Sequence, residues 1–322
     1  MKAYKKYICG HNDRDRRLDR ILKKILSDVP AGLIYSGLRK GLIKVNGKKR
    51  PQSYRVEEND LIEISEIIKS DHKRNTKTEQ NTKAADFLQS ITVTKSDNLL
   101  FLNKPAGLLT HGDDSLADYL KTGLTDIDSS LAFTPAPLHR LDRNTSGLIT
   151  ASLTIDGAKH FSELMRQRKI KKYYIGLCLG KINNTIYLED NLIRKNKKTY
   201  KSEKINGLRA KTTISPILSK NNLTLCLFNI ETGVTHQIRS QCSEKGYPLA
   251  GDVKYGGKFN GINNYFLHSY KMIFPENDKI CGVSEVTAEL PSPLIKTVKK
   301  YIDASPVDII NKTTNLFNNL KN

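Results

Sequence analysis

The sequence predicts an α+β protein in two modules, and three observations carry that expectation. Short apolar runs rich in β-branched and aromatic residues at 99–102, 148–151, 173–179 and 223–230 read as buried strands. Segments 15–27 and 154–165 instead repeat apolar residues at helical spacing. Between the first helical region and the first long strand, residues 69–84 are polar, charged and aperiodic, which reads as a flexible linker. A chain of 322 residues is long enough for two domains. The expected division is a small domain at 14–68, a linker at 69–86, a large domain at 87–303 and a tail at 304–322.

Composition narrows the partners. Lys and Arg number 53 against 33 Asp and Glu, a net charge of +20. Such an excess implies a polyanionic partner, nucleic acid or an anionic membrane surface. A biased Lys, Asn and Ile composition would give the same total, but the charge is clustered. Residues 39–50 hold six basic residues and no acid, and 194–211 hold eight against Glu203 alone. Hydrophobic content is 38% and mean hydropathy −0.48, as expected for a soluble chain. No apolar run approaches the ~20 residues of a membrane helix, so no membrane partner is expected. The start, MKAYKKYICGHNDRDRR, carries no apolar signal segment, which predicts a cytoplasmic location. The cysteines (Cys9, Cys178, Cys226, Cys242, Cys281) are scattered with no C-x-x-C pair, so neither a disulfide framework nor a metal site is expected. No Walker or dinucleotide fingerprint is present, and no cofactor is expected.

In chain order, Leu18, Ile21, Leu22, Ile25 and Leu26 share one face of a first helix. Pro30 suits the first turn of a second helix over 31–40, closed by Gly41. Ile43 and Val45 alternate into Asn46-Gly47, a hairpin-turn signal, and 61–64 gives a further strand. Ser115 with Asp118 forms a capping box for a short helix ending near Leu120. Thr154 can cap a helix carrying Ala158, Phe161, Leu164 and Met165 on one face. The basic stretch 194–211 reads as a surface hairpin or loop. From Ser305 the chain is Asn-rich with scattered apolar residues, which fits either a weak amphipathic helix or a disordered end.

The stretch that carries chemistry is PLHRLDRNTSGLIT at 137–150. Asn144-Thr145-Ser146-Gly147 reads as a turn before a buried strand, which sets Asp142 in a loop between Arg140 and Arg143. Flanking guanidinium groups favour an ionised carboxylate. From the residues alone two readings stand: a salt bridge that staples the turn, or an oriented nucleophile.

HRLDRNTSG resembles the active-site motif of the RluA family of RNA pseudouridine synthases. The resemblance implies a catalytic Asp142 and an Arg140 that enters the RNA where the target uridine leaves. NKPAGLLTH, at 103–111, resembles the family's first motif, which lines the cleft. Lys104 and His111 there either contact phosphate or ribose or belong to a Pro-Gly turn without a ligand. Lys172-Tyr173-Tyr174 fits the family's K-x-Y strand opening, which makes Tyr174 the residue that packs against the target base and takes the proton from its C5. Tyr173 would face the opposite side; without the family, such a pair reads as core. Residues 232–239 keep seven of the eight positions of T-G-R-T-H-Q-I-R, with Val234 in place of the first arginine. Thr235 suits an N-cap, and Arg239, the family's catalytic cation, would then pair with Asp142. PLAGDVKYGG, at 248–257, resembles the G-D-x-x-Y-G element and is expected to be structural. LIYSGLRKGLIKVNGKK, at 33–49, resembles an S4 RNA-binding domain.

Together these likenesses imply an S4 domain followed by a catalytic domain on a mixed, mostly antiparallel sheet with flanking helices. They imply isomerisation of specific uridines to pseudouridine in RNA, in the branch that acts on 23S ribosomal RNA of the large subunit, by a monomer needing no cofactor or metal. Catalysis would fall to Asp142, Tyr174 and Arg239. RNA contacts would come from Arg140, Arg143, Lys104, His139 and His236 at the cleft, and from Arg39, Lys40, Lys44 and Lys48 on the S4 domain. The alternative is a non-catalytic S4-containing RNA-binding or ribosome-assembly protein. The set Asp142, Tyr174 and Arg239 separates the two.

Overall fold

The computed structural model describes residues 3–68, 78–124, 130–196, 198–202 and 207–319. Its N-terminal module comprises β1 (Tyr4–Ile8), α1 (Leu18–Ile25), α2 (Ala31–Lys40), β2 (Ile43–Val45) and β3 (Leu61–Ser65), with sheet order β1-β3-β2. The apolar stripe of α1 and Ile34 and Leu38 of α2 bury themselves against Ile43, Val45, Ile62 and Ile64. Pro30 is the N-cap of α2, and Gly41 closes the helix at φ 70, a left-handed conformation that glycine adopts without steric cost. Asn46 and Gly47 form the expected turn, both at positive φ. The strand that returns is not the next segment, however. Lys48 makes a single bridge to Val45, and β2 pairs with β3 instead.

Of the expected linker, residues 69–77 lie outside the described residues, and the rest is not a linker. It enters α3 (Thr78–Ile91), which buries Ala84 and Leu88 and sets the Phe87 ring 4.5 Å from that of Tyr119 of α4 (Leu116–Gly123), tilted by 42°. Few apolar residues suffice because they fall on one helical face, and tertiary packing outweighs the polar composition of the remainder.

The large module is a sheet built from β4 (Thr92–Lys95), β5 (Leu99–Lys104), β6 (Ser146–Ser152), β7 (Lys171–Leu179), β8 (Ile186–Lys195), β9 (Lys198–Lys201), β10 (Leu208–Lys220), β11 (Leu223–Ile230), β12 (Leu267–Ile273) and β13 (Glu285–Thr287). Its order is β4-β5-β6-β12-β7-β11-β10-β8-β9, with β13 on β12. Among the described pairings only β6 with β12 is parallel. In the basic stretch 194–211, residues 197 and 203–206 lie outside the described residues, and the described part holds the end of β8, all of β9 and the start of β10. Alternation along β7 and β11 divides two cores. Tyr174, Cys178, Cys226 and Phe228 face Leu88, Leu116 and Leu120, together with Ile238 and Cys242 of α6 (Gln237–Glu244). Tyr173, Ile175, Leu177, Leu225 and Leu227 face the other side, against α7 (Ser292–Tyr301) and α8 (Pro306–Asn319). The tail is therefore helical as far as Asn319, held by Ile309 and by Phe317, whose ring meets Tyr173 edge-on at 4.7 Å. On the β5–β6 side, α5 (Ile155–Arg166) is capped by Thr154 Oγ1, which accepts from Gly157 N, and it seats Phe161 and Leu164 against Phe101 and Leu148. All five cysteines are buried thiols. Among the described residues no helix is long and apolar enough to cross a membrane.

The single parallel pairing sets a steric limit next to the chemistry-bearing loop. Gly147 stands opposite Ser269 at φ 103, and a Cβ there would collide with the Ser269 backbone. Gly147→Ala is expected to destabilise the chain by more than ~3 kcal/mol, at the upper end for single substitutions. Denaturant midpoints of the two chains measure this; an unchanged midpoint would show that β6 and β12 separate freely.

Candidate active site

Asp142 stands in the loop between Pro137 and β6, at the edge of a pocket whose wall includes Tyr174, Ile230, Ile238 and Leu267. The loop is held from below by the NKPAGLLTH segment. Thr110 Oγ1 donates to Leu141 O (3.1 Å) and accepts from Leu141 N (3.2 Å), clamping the residue before Asp142 from both sides. Gly107 N donates to Arg143 O, and Lys104 Nζ donates to the carbonyls of Pro105, Leu108 and Arg143. Lys104 is fully buried, and burial pulls its amine down to about 8. The expectation that it contacts RNA is therefore corrected: its three donors are spent on the loop it supports.

The cation that holds Asp142 comes from far along the chain. Arg239 Nη1 donates to Asp142 Oδ2 at 3.1 Å. Its other edge forms a fork on Asp252, Nε to Oδ2 at 2.7 Å and Nη2 to Oδ1 at 2.9 Å. The guanidinium lies between two rings, 4.9 Å from the centroid of Tyr255 and 4.3 Å from that of Tyr265. Burial alone would lower its pKa, but the Asp252 bond and the surrounding phenol and carboxylates shift the balance upward, so Arg239 is a permanent cation. Neither flanking arginine has an ion pair with Asp142 among the described residues. Arg143 Nε instead donates to Gly107 O at 3.0 Å, and Arg140 is exposed at the pocket rim. This corrects the expectation of a carboxylate held between its sequence neighbours. Asp142 Oδ1 has no hydrogen-bond partner among the described residues and is the oxygen left to meet a ligand.

His236 completes the group. It has φ 58 and is itself the N-cap residue of α6, displacing Thr235 from that expected role. Thr235 O instead accepts from Thr199 Oγ1 at 2.8 Å. His236 Nδ1 lies 2.8 Å from Tyr255 Oη, and Nε2 lies 3.7 Å from Asp142 Oδ2. Burial takes its pKa down to about 4, so at neutral pH the ring is uncharged, and the cation bonded to Asp142 is Arg239. Gln237 locks the loop that presents these residues. Its Oε1 accepts from Thr232 Oγ1 and Val234 N, while its Nε2 donates to Lys211 O and Thr212 Oγ1. Val234 itself lines the pocket as an apolar side chain.

Tyr174 faces the pocket while Tyr173 faces the opposite core, as the strand alternation requires. Burial pushes the Tyr174 phenol up to about 12, so it is a neutral ring at physiological pH. His139 is corrected: its Nε2 accepts from Thr150 N at 3.0 Å, its ring stacks on Phe161, and burial, then nearby Lys172, takes it down to about 3. An uncharged ring occupied by the backbone of β6 is no phosphate ligand. The outer mouth of the cleft is lined by His111, Arg140, Arg143, Arg194 and Lys254. On the N-terminal module Arg39, Lys40 and Lys48 are exposed, and Lys44 Nζ lies 5.6 Å over the Tyr4 ring. Asp252, Tyr255, Tyr265 and Thr110 are the site residues that sequence reasoning did not single out. The first two stand in the GDVKYGG element and the last in NKPAGLLTH, whereas Tyr265 had no motif to mark it.

Among the described residues the one gathering of three metal-type donors, His160, Asp278 and Cys281, lies elsewhere. Asp278 there is occupied as a loop staple: Oδ2 meets His160 Nε2 at 2.6 Å and Oδ1 accepts from Ile280 N and Cys281 N.

Residues 98–244 match the family model described as RNA pseudouridylate synthase. Ribosomal large subunit pseudouridine synthase C of Vibrio vulnificus (strain CMCP6) is 28% identical over 299 residues, spanning 90% of this chain and 92% of that protein. The protein of the same name from Escherichia coli (strain K12) is 27% identical over 305 residues, spanning 90% and 93%. In fold, human RNA Pseudouridylate Synthase Domain Containing 4 superposes with a TM-score of 0.58 at 21% identity, covering 69% of this chain and 97% of that one.

The buried histidines generate a pH dependence. His139 at about 3, with His236 and His268 at about 4, all lie below the ordinary 6.5, chiefly through burial. Their neutral forms stabilise the fold fully above pH 6.5, and that contribution is lost as pH falls towards 4 and then 3. Each protonation approaches a loss of ~1.4 kcal/mol per pH unit within its window. Urea midpoints should therefore fall between pH 7 and pH 5, and His139→Gln should make the fall shallower. Equal midpoints at the two pH values would contradict the assignment of three neutral buried rings.

Proposed function

We propose, from the premise that this chain belongs to the RNA pseudouridylate synthase family, that it isomerises specific uridines of large-subunit ribosomal RNA, with Asp142, Tyr174 and Arg239 as its catalytic set. The observation that carries the reading is the state of Asp142: one oxygen engaged by Arg239, the other open above an apolar wall. In the reaction the uridine N1–C1′ bond breaks, the uracil turns, and a C5–C1′ bond forms. The proton on C5 leaves and N1 gains one, so atoms balance with no net oxidation. Attack at C1′, attack at C6 and removal of the 2′ proton all require an aimed carboxylate, and the Arg239 N–H aims it. Ile230, Leu267 and the Tyr174 ring offer the faces on which a planar pyrimidine can pack while it turns. As base for the C5 proton, Tyr174 would first have to give up its own proton, which its raised pKa opposes. Its neutral ring suits the packing role.

The target base must leave its stack to reach the pocket, at a cost of about a few kcal/mol. The cations at the mouth, Arg140 and Arg143 among them, are placed to offset that by holding the backbone. The N-terminal module is read as an S4 RNA-binding domain, on the strength of LIYSGLRKGLIKVNGKK and the exposed Arg39, Lys40 and Lys48. The ribosomal target is drawn from the names of the relatives, and a cytoplasmic place of action and a monomeric state belong to the same proposal. The non-catalytic alternative has no observation in its favour, since all three residues of the catalytic set line one pocket.

Asp142→Asn is expected to abolish pseudouridine formation while RNA affinity stays within about threefold, under ~0.7 kcal/mol. Pseudouridine mapping of RNA treated with either chain, alongside filter binding, decides the matter. Normal turnover by the variant would remove Asp142 from its role.

A further inference from the structure

The N-terminal module is not merely tethered to the large one. Asp13 is fully buried, and its carboxylate accepts from groups on both modules. Oδ1 takes Ser130 Oγ (2.7 Å) and Ala132 N (3.0 Å); Oδ2 takes Leu131 N (2.9 Å) and its own module's Gly10 N (3.0 Å). Next to it Asn12 Oδ1 accepts from Ile155 N at the first turn of α5, at 3.0 Å. From α1, Lys24 Nζ donates to Ala132 O at 2.9 Å and Phe133 O at 3.3 Å, and to Thr134 Oγ1. Leu131 and Ala132 pack against the N-terminal core beside α1. The two modules thus exchange donors in both directions: a carboxylate from one caps amides of the other, and an ammonium from one caps carbonyls of the other. The Asp13 bonds are charge-assisted and buried, the stronger class, whereas those of Lys24 lie at the exposed edge of the contact. Undocking would expose Leu131 and return two loop amides to solvent.

The position of the contact matters as much as its strength. From Thr134 the chain passes along β6, where Ser152 N donates to Ala136 O and Leu138 N donates to Thr150 O, and then reaches Arg140 and Asp142. We propose that Asp13 and Lys24 form a latch that fixes the basic face of the N-terminal module relative to the cleft. They act as positioning residues, setting the register in which a long RNA reaches Asp142. This rests on the reading of the chain as an RNA-modifying enzyme with an RNA-binding N-terminal module. The physical consequence is that RNA held by both modules meets a single rigid surface and does not bear the entropy of ordering a linker.

The test uses the full chain with Asp13→Ala and, as a variant that leaves the buried core intact, Lys24→Ala. Hydrogen exchange reads the latch directly. The amides of Leu131 and Ala132 should exchange at least ~10-fold faster in Asp13→Ala, as expected for a locally opened contact. Two RNAs read the positioning: a long transcript of the ribosomal domain that contains the mapped target uridine, and a short hairpin carrying the same uridine. Both variants should lose at least ~5-fold in kcat/KM on the transcript and stay within ~2-fold on the hairpin, because a misplacement remote from the chemistry acts through alignment of the longer substrate. Unchanged exchange at 131 and 132 would overturn the latch. Faster exchange with equal activity on both RNAs would overturn the positioning role, as would equal losses on both. If the wild-type chain forms no pseudouridine on either RNA, the enzymatic reading and the positioning role fall together, while exchange still decides whether the latch exists.

Discussion

The arrangement of the cleft depends on how Arg239 divides its donors. Two N–H groups are committed to Asp252 in a planar fork, and two phenol rings close over the guanidinium, which leaves Nη1 for Asp142. A guanidinium buried to this degree would be costly without a full counter-charge, and Asp252 supplies one that is itself buried. Because the fork fixes the plane of the group, it also fixes the direction of the remaining N–H. Lysine could carry the charge but could not be aimed by such a fork. His236, 3.7 Å from the same Asp142 oxygen, is kept neutral chiefly by burial, with Arg239 adding to the effect, so at neutral pH it adds no charge beside that carboxylate.

The rest of the site serves to bring Asp142 to that N–H. Thr110 grips Leu141, Lys104 and Gly107 grip the carbonyl of Arg143, and Gly147 lets β6 approach β12 closely enough to hold the strand that follows. On the opposite side Gln237 satisfies four backbone and side-chain partners and freezes the loop that leads into α6. The motifs recognisable in the sequence therefore divide into a small set that faces the pocket and a larger set that supports it. Lys104 and His139 belong to the second set. Both are titratable residues within recognisable motifs, and backbone groups occupy the ammonium of Lys104 and the Nε2 of His139.

Much of this was legible in the sequence for identifiable reasons. Strands such as β7 and β11 announce themselves because both faces are buried and the run is continuously apolar. The side-chain period of two then assigns Tyr174 to one face and Tyr173 to the other, as the two cores show. The Arg239–Asp142 pair was reached only through family resemblance, since residues 97 apart leave no local pattern. What escaped had equally physical causes. The flanking arginines looked like the natural partners of Asp142, yet a loop can direct adjacent side chains away from one another, and Arg143 turns to Gly107. Helix α3 was hidden in a polar segment because it buries few side chains. Helix α8 has no decisive signal in the sequence because its anchors, Ile309 and Phe317, have meaning only against the core they pack on. Asp13 carries no signal in the sequence: it is one more charge in a charged run, and its partners on the large module lie more than a hundred residues away.

If Asp252 acts on the reaction only by fixing Arg239, a double-mutant cycle on single-turnover uridine isomerisation exposes that dependence. The four chains are wild type, Asp252→Asn, Arg239→Ala and the double variant, each assayed where it is folded. The account predicts that Arg239→Ala loses about 10²-fold or more and that the double variant is no slower than Arg239→Ala within about threefold, a strongly non-additive cycle. Losses that multiply across the two sites would contradict it, since Asp252 would then contribute to catalysis by a route that does not pass through Arg239.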